Sequence, residues 1–157
     1  MPHLVSITYT PADVERKPAD HYARVSVECA TLVEGKGIAG DLKGTGRARQ
    51  LNVMRSETLA ELAAEGRQVG PGEMGEQLVI AGLDPAALAE GSRLRLGPTA
   101  VIEVTLPRTG CDRFEHIQGT SKESVAGRLG VMCRVVTGGK IAAGDPVGTD
   151  LRSVQAG

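Results

Sequence analysis

The sequence contains no tryptophan, only two tyrosines and one phenylalanine, so aromatic residues make up 2% of its 157 positions. That scarcity removes the stacking platforms on which single-stranded nucleic acids are held. An excess of one charge is missing too: 18 Lys and Arg face 19 Asp and Glu, giving a net charge of −1 and an isoelectric point near 6.3. Without a basic field to attract a phosphate backbone, a nucleic-acid partner is not expected. No apolar run approaches the roughly 18 residues that a membrane-spanning helix needs, so no membrane partner is expected either. The start, Met1-Pro2-His3, lacks the basic stretch, apolar run and small-residue cleavage site of a secretory signal, which predicts a cytoplasmic protein. Cysteines are few and widely spaced, at Cys29, Cys111 and Cys133, with no Cys-x-x-Cys. A disulfide framework and a closed zinc site are therefore not expected, which leaves free thiols in a reducing compartment.

What the chain has is glycine, 21 residues of it beside 8 prolines, within an ordinary 41% hydrophobic and 24% charged composition. This predicts one domain over residues 1–157, built from short strands and tight turns, with a tail over residues 150–157 that frays. Alternation marks strands at Leu4–Tyr9, Arg24–Val33, Gln50–Met54, Glu76–Ile80, Arg93–Leu96, Ala100–Leu106, Val131–Val136 and Ile141–Val147. Gly97-Pro98 and Gly138-Gly139 are expected to turn hairpins. Three short helices are expected: one capped by Ser56 and ended at Gly66, one opened by Asp84-Pro85, and one capped by Ser121. A fourth segment, Cys111–Gln118, is compatible with one or two helical turns. Strand after strand without long helices predicts a mainly β, closed or sandwiched fold rather than a parallel α/β sheet. Cys29 shares the alternation phase of Val25, Val27 and Val33, and Cys133 lies within a strand, so both are expected in the core.

Chemistry concentrates in Leu106-Pro107-Arg108-Thr109-Gly110-Cys111. Cys111 leaves a strand through a Pro/Gly turn and meets the start of a possible helix, a setting whose unpaired N–H groups favour a thiolate able to attack sulfur or bind a soft metal. An unreactive loop cysteine fits the local residues equally well. His116 is a candidate base, though a surface histidine accounts for it more simply. The stretch from Gly35 to Gln50 either cradles an anion with its backbone N–H groups and Lys43, Arg47 and Arg49, or simply permits a crowded turn. It is not a P-loop. Pro71-Gly72-Glu73-Met74-Gly75-Glu76 sets two carboxylates among glycines and suits a turn better than an acid/base pair.

Taken in order, Gly37 to Asp41, Arg47-Ala48-Arg49-Gln50, Pro71 to Glu76, Pro107-Arg108-x-x-Cys111, Gly138-Gly139 and Gly144-Asp145-Pro146-Val147 resemble a MOSC domain. This is the module found at the C-terminus of molybdenum-cofactor sulfurases. The likeness covers roughly residues 30–148. It implies a mainly β, strongly bent, barrel-like fold with a few short helices. It further implies a chain that binds a molybdopterin-type molybdenum cofactor or carries sulfur for it, with Cys111 as the catalytic and metal-contacting residue. Arg47, Arg49, Arg108, Gly40, Asp41, Gly75 and Glu76 are the expected cofactor-binding residues, the arginines because guanidinium forks suit phosphate. Implied partners are a small anionic cofactor or substrate and a sulfur-donor or redox protein. The family spans sulfur transfer and, with external electron donors, reduction of N-hydroxylated compounds; a non-catalytic small-anion module is the alternative. Pyridoxal phosphate, which serves a separate domain of the larger sulfurases, is not expected on a chain this short.

Overall fold

Apolar residues that alternate over four to eight positions between glycines bury one face of a strand, and strands dominate the fold. The structure, a computed structural model, describes residues 1–13, 21–42 and 48–151, apart from the side chains of Asp112, Arg113, Asp150 and Leu151. In chain order the strands are β1 (His3–Tyr9), β2 (Val25–Val27), β3 (Cys29–Val33), β4 (Gly37–Ile38), β5 (Leu51–Arg55), β6 (Leu78–Ala81), β7 (Arg93–Leu96), β8 (Ala100–Pro107), β9 (Val131–Thr137), β10 (Gly139–Ala142) and β11 (Val147–Leu151). Helix α1 (Ser56–Ala64) follows β5 and helix α2 (Asp112–Gln118) follows β8, while single 3-10 turns cover Pro85–Leu88 and Lys122–Val125.

Eight strands form one curled sheet in the order β11, β7, β8, β9, β5, β6, β1, β2, and β10, β3 and β4 form a small second sheet. Every neighbouring pair is antiparallel except β5 and β6, which run parallel on either side of α1. This one parallel pair is local to the α1 crossover and leaves the mainly β fold otherwise antiparallel. The large sheet curls without closing. Its curl brings β1 to the segment before β11, where Leu4 N donates to Asp145 O (2.9 Å) and Gly144 N to Leu4 O (2.7 Å).

The main core fills the concave side, around Leu4, Leu51, Ile80, Leu94 and Ile102, all fully buried. A second core lies on the convex side, where Met54 and Val79 of the sheet meet Leu59 and Leu62 of α1, Phe114 of α2 and Val125. Residues of β5 and β6 are thus buried on both faces. A bulge between Leu4 and Ser6 explains why Leu4 and Ile7, three apart, both point inward.

Three sequence expectations change. Cys29 is exposed, not buried, because the strand breaks at a bend on Glu28 and resumes one residue out of phase, so that Ala30 and Leu32 face the core. Gly138-Gly139 does not turn a hairpin: β9 pairs with β8 and β5, whereas β10 pairs with β3 in the other sheet. Ser56 is the first helical residue rather than the cap; Arg55 occupies the cap position, with no side-chain hydrogen bond that caps the helix. Strand β11 runs two residues past Thr149, and residues 152–157 of the expected tail lie outside the described residues. The Gly97-Pro98 hairpin is present, as are the Asp84 and Ser121 caps, which accept from Ala86 N and Ser124 N.

Candidate functional site

Pro107 is the last residue of β8, and the chain stays tied to the sheet one residue further through Arg108 N to Gly130 O (3.0 Å). Gly130 has φ +79° and lies so close to the Val53 carbonyl that a Cβ would collide with it, so this approach needs glycine. Beyond Arg108 the chain lifts away through Thr109 and Gly110, and Cys111 takes the cap position of α2 with extended backbone (φ −136°, ψ 176°). Its carbonyl accepts from Glu115 N (3.0 Å), while its side chain caps nothing and is exposed. Phe114, fully buried three residues later, anchors the helix. Arg108, Thr109 and Gly110 line a half-open cleft of about 290 Å³, faced by Lys122, Ala126 and Leu129. Cys111 follows directly on that wall.

Behind the wall lies a polar ring. Arg108 Nη1 donates to Asn52 Oδ1 (3.1 Å) and to Met74 O, and Nη2 to the Tyr22 hydroxyl (3.4 Å). The guanidinium sits 6.0 Å from the Tyr22 ring centre and 5.9 Å from that of Phe114, within cation–π range. Asn52 in turn holds the ribbon that carries Arg108, donating to Val131 O (3.1 Å) and Leu129 O (3.3 Å). Gln77 Oε1 accepts from Asn52 N (2.7 Å), and Gln77 Nε2 donates to Asp41 Oδ2 (3.1 Å). Asp41 Oδ1 accepts from Thr10 N (3.0 Å), and Arg24 closes the ring by donating to Thr10 Oγ1 (3.2 Å) and to Gly75 O (2.7 Å). Burial lowers the Arg24 pKa, with Asp41 opposing that shift and the Arg108 charge adding to it.

The ring gathers Asp41, Gly75 and Arg108 of the expected site residues. Gly75 has φ +88°, and a Cβ there would stand 2.7 Å from Arg108 Nη2 and 3.0 Å from Tyr22 Cζ, so its lack of a side chain makes room for both. Glu76 is fully buried and faces its own turn: Gly72 N donates to Oε2 (2.8 Å) and Met74 N to Oε1 (3.1 Å). Burial pushes its carboxyl up, against the pull of those two N–H groups and of Arg108. Gly40 is exposed on the glycine-rich loop. The N–H groups of Gly35, Lys36, Ala39 and Asp41 in that loop donate to Val135, Val33, Thr31 and Ile38 carbonyls, so they are not offered to an anion. Arg49 is exposed, beside the point where Thr105 Oγ1 donates to Ala48 O. Arg47 lies outside the described residues, as does Lys43. Cys133 is buried, as expected, with its thiol pushed up by burial, and His116 is exposed in the last turn of α2.

Sequence reasoning missed Tyr22, Arg24, Asn52 and Gln77. Asn52 had a signal: a single amide between Leu51 and Val53 in a strand buried on both faces must be hydrogen-bonded. Arg24 had none, since its partners are the backbone of Gly75 and the side chain of Thr10. Among the described residues no three His, Cys, Asp or Glu side chains gather in a way that holds a metal ion.

Residues 40–148 match the family model of the MOSC domain, and with two thirds of its length matched the chain belongs to the MOSC domain family. The fold is shared with YiiM from Geobacillus stearothermophilus (TM-score 0.74, 20% identity, over 99% of this chain and 78% of that one). It is also shared with YiiM from Escherichia coli (TM-score 0.70, 23% identity, 97% and 71%) and with the YuaD protein from Bacillus subtilis (TM-score 0.73, 22% identity, 94% of each chain). At these identities the likeness is one of fold. No curated protein matches the chain.

Proposed function

We propose that the chain binds a molybdopterin-type cofactor in the cleft beside Cys111, with the Cys111 thiolate as its contact to the metal or as the acceptor of its sulfur. The observation that carries this reading is the exposed sulfur of Cys111 directly after the wall Arg108-Thr109-Gly110. The donor set fits such a group. One soft thiolate, with no cluster of further metal ligands among the described residues, suits a metal that brings its remaining ligands with it. When bound, the cofactor supplies the metal and sulfur chemistry that no side chain here provides.

The chain's own residues bind and orient. Arg108 and Lys122 bring two positive charges to the lining of the cleft against the one negative charge of Glu123, a balance that suits a phosphate, and Arg49 is the other described guanidinium assigned to that role. Asn52, Met74 and the Tyr22 ring lock Arg108 before any ligand arrives, so that little ordering cost remains to be met on binding. Gly75 leaves the space that this locked arginine needs. Asp41, Gln77 and Glu76 act one layer further out, holding the loops that present Arg108 and Arg24.

Alkylation with and without purified cofactor tests the reading, because Cys29 is an exposed internal control. The cofactor is expected to protect Cys111 from iodoacetamide while Cys29 continues to react. Equal modification of Cys111 with saturating cofactor would overturn the proposal and leave a small-anion module as the better reading.

A further inference from the structure

The convex face of the large sheet has two halves. Over β5 and β6 it is apolar and covered by α1 and α2. Over β7, β8 and β9 no helix among the described residues covers it, and apart from Thr105, which donates to Ala48 O, the outward positions are Arg93, Arg95, Glu103, Met132 and Arg134, since Leu94, Ile102 and Cys133 between them point into the main core. Arg93 pairs across the strands with Glu103, and Glu103 with Arg134. Arg93 Nε donates to Glu103 Oε1 (2.9 Å) and Arg134 Nη2 to Oε2 (3.2 Å), so one carboxylate is shared by two guanidiniums and a positive charge is left over. Arg95, exposed on the same face, has no partner among the described residues and adds a second. The exposed acids Glu57 and Glu61 lie elsewhere, on α1, and Glu65 follows at its C-terminal cap.

We propose that this face docks the acidic surface of a partner protein. Arginine interspersed with Met132 and partly exposed valines, with no lysine, is the composition that marks the centre of protein interfaces. Guanidinium forks pair bidentately with carboxylates. With strands about 4.8 Å apart, the row Arg93, Glu103, Arg134 spans only about 10 Å, matching a cluster of carboxylates rather than a nucleic-acid backbone. Glu103 at its middle would repel a phosphate track, and no aromatic side chain stands on these strands to stack a base. Strand β8 runs from this face to Pro107, one residue before Arg108 of the cleft wall.

Amide chemical shifts of the isotope-labelled chain, titrated at low salt with a polyglutamate peptide and separately with an oligothymidylate, test the proposal. Shifts are expected on β7, β8 and β9, stronger for polyglutamate, with affinity falling about tenfold in the double variant Arg95→Glu, Arg134→Glu and with rising salt. Thermal melts check that the variant folds; should it not, the single variant Arg95→Glu, at a side chain without a partner, carries the same expectation to a smaller degree. Cys111→Ser is expected to bind polyglutamate as the parent does, which separates this face from the cofactor reading. Shifts elsewhere, affinity indifferent to the reversals, or oligothymidylate binding the face as tightly would overturn it.

Discussion

Three cysteines sit in three environments, and their reactivities should differ accordingly. Cys111 and Cys29 carry exposed sulfur, whereas Cys133 is fully buried and its thiol is pushed up. Iodoacetamide should modify the first two in the folded chain and reach Cys133 only after denaturation, as peptide mass mapping would show. Gly75→Ala forces a side chain into positive φ and against Arg108, so urea unfolding should register a loss of about 1–3 kcal/mol together with weaker cofactor binding. Glu76 gives a pH signature. Because burial raises its pKa, the folded chain keeps a proton there that the unfolded chain releases. Stability contributed by Glu76 is therefore full below the ordinary carboxylate range, falls as pH rises through the raised value, and changes no further above it. The Tm difference between the parent and Glu76→Gln should shrink across that window; a difference that widened with pH would contradict the assignment.

Helix α2 matters because it sets the position of Cys111, and two turns cannot hold themselves without tertiary packing. Phe114 supplies that anchor, so Phe114→Ala should cost about 3–5 kcal/mol by urea unfolding and should loosen Cys111 more than Cys29, seen as faster alkylation of Cys111 alone. Elements whose signals are local were legible in the sequence. The β7–β8 hairpin announces itself through Gly97-Pro98, and the turn after Asp84 through its cap and proline. Elements whose partners are distant were not. Nothing near Gly138-Gly139 says that β10 pairs with β3, which precedes it by about a hundred residues, instead of with β9 beside it. Nor does anything near Cys29 reveal the bend at Glu28, because Val25, Val27, Cys29, Thr31 and Val33 alternate without interruption in the sequence. A single bend there inverts the exposure of every residue after it.

At the scale of the molecule, the curled sheet brings Thr10, Arg24, Asp41, Asn52, Gly75, Gln77 and Arg108 into one ring, although they span nearly a hundred positions. The resemblance named Asp41, Gly75 and Arg108 among the expected site residues; only the topology adds Arg24 and Asn52 to their ring, since Arg24 reaches the backbone of Gly75 and Asn52 that of Leu129 and Val131, contacts that no motif spells. The ring holds Arg108 in the wall of a cleft, and Cys111, three residues further along the chain, carries a free thiol; the proposed function rests on this pairing. Its most direct test is an equilibrium titration of the folded chain and of Cys111→Ser with purified molybdenum cofactor, followed by the cofactor's own absorbance. The parent should saturate with one cofactor per chain, and Cys111→Ser should bind at least about tenfold more weakly with an unchanged Tm, as loss of a soft ligand requires. Equal affinity in the two proteins, or no binding by the folded parent, would contradict it.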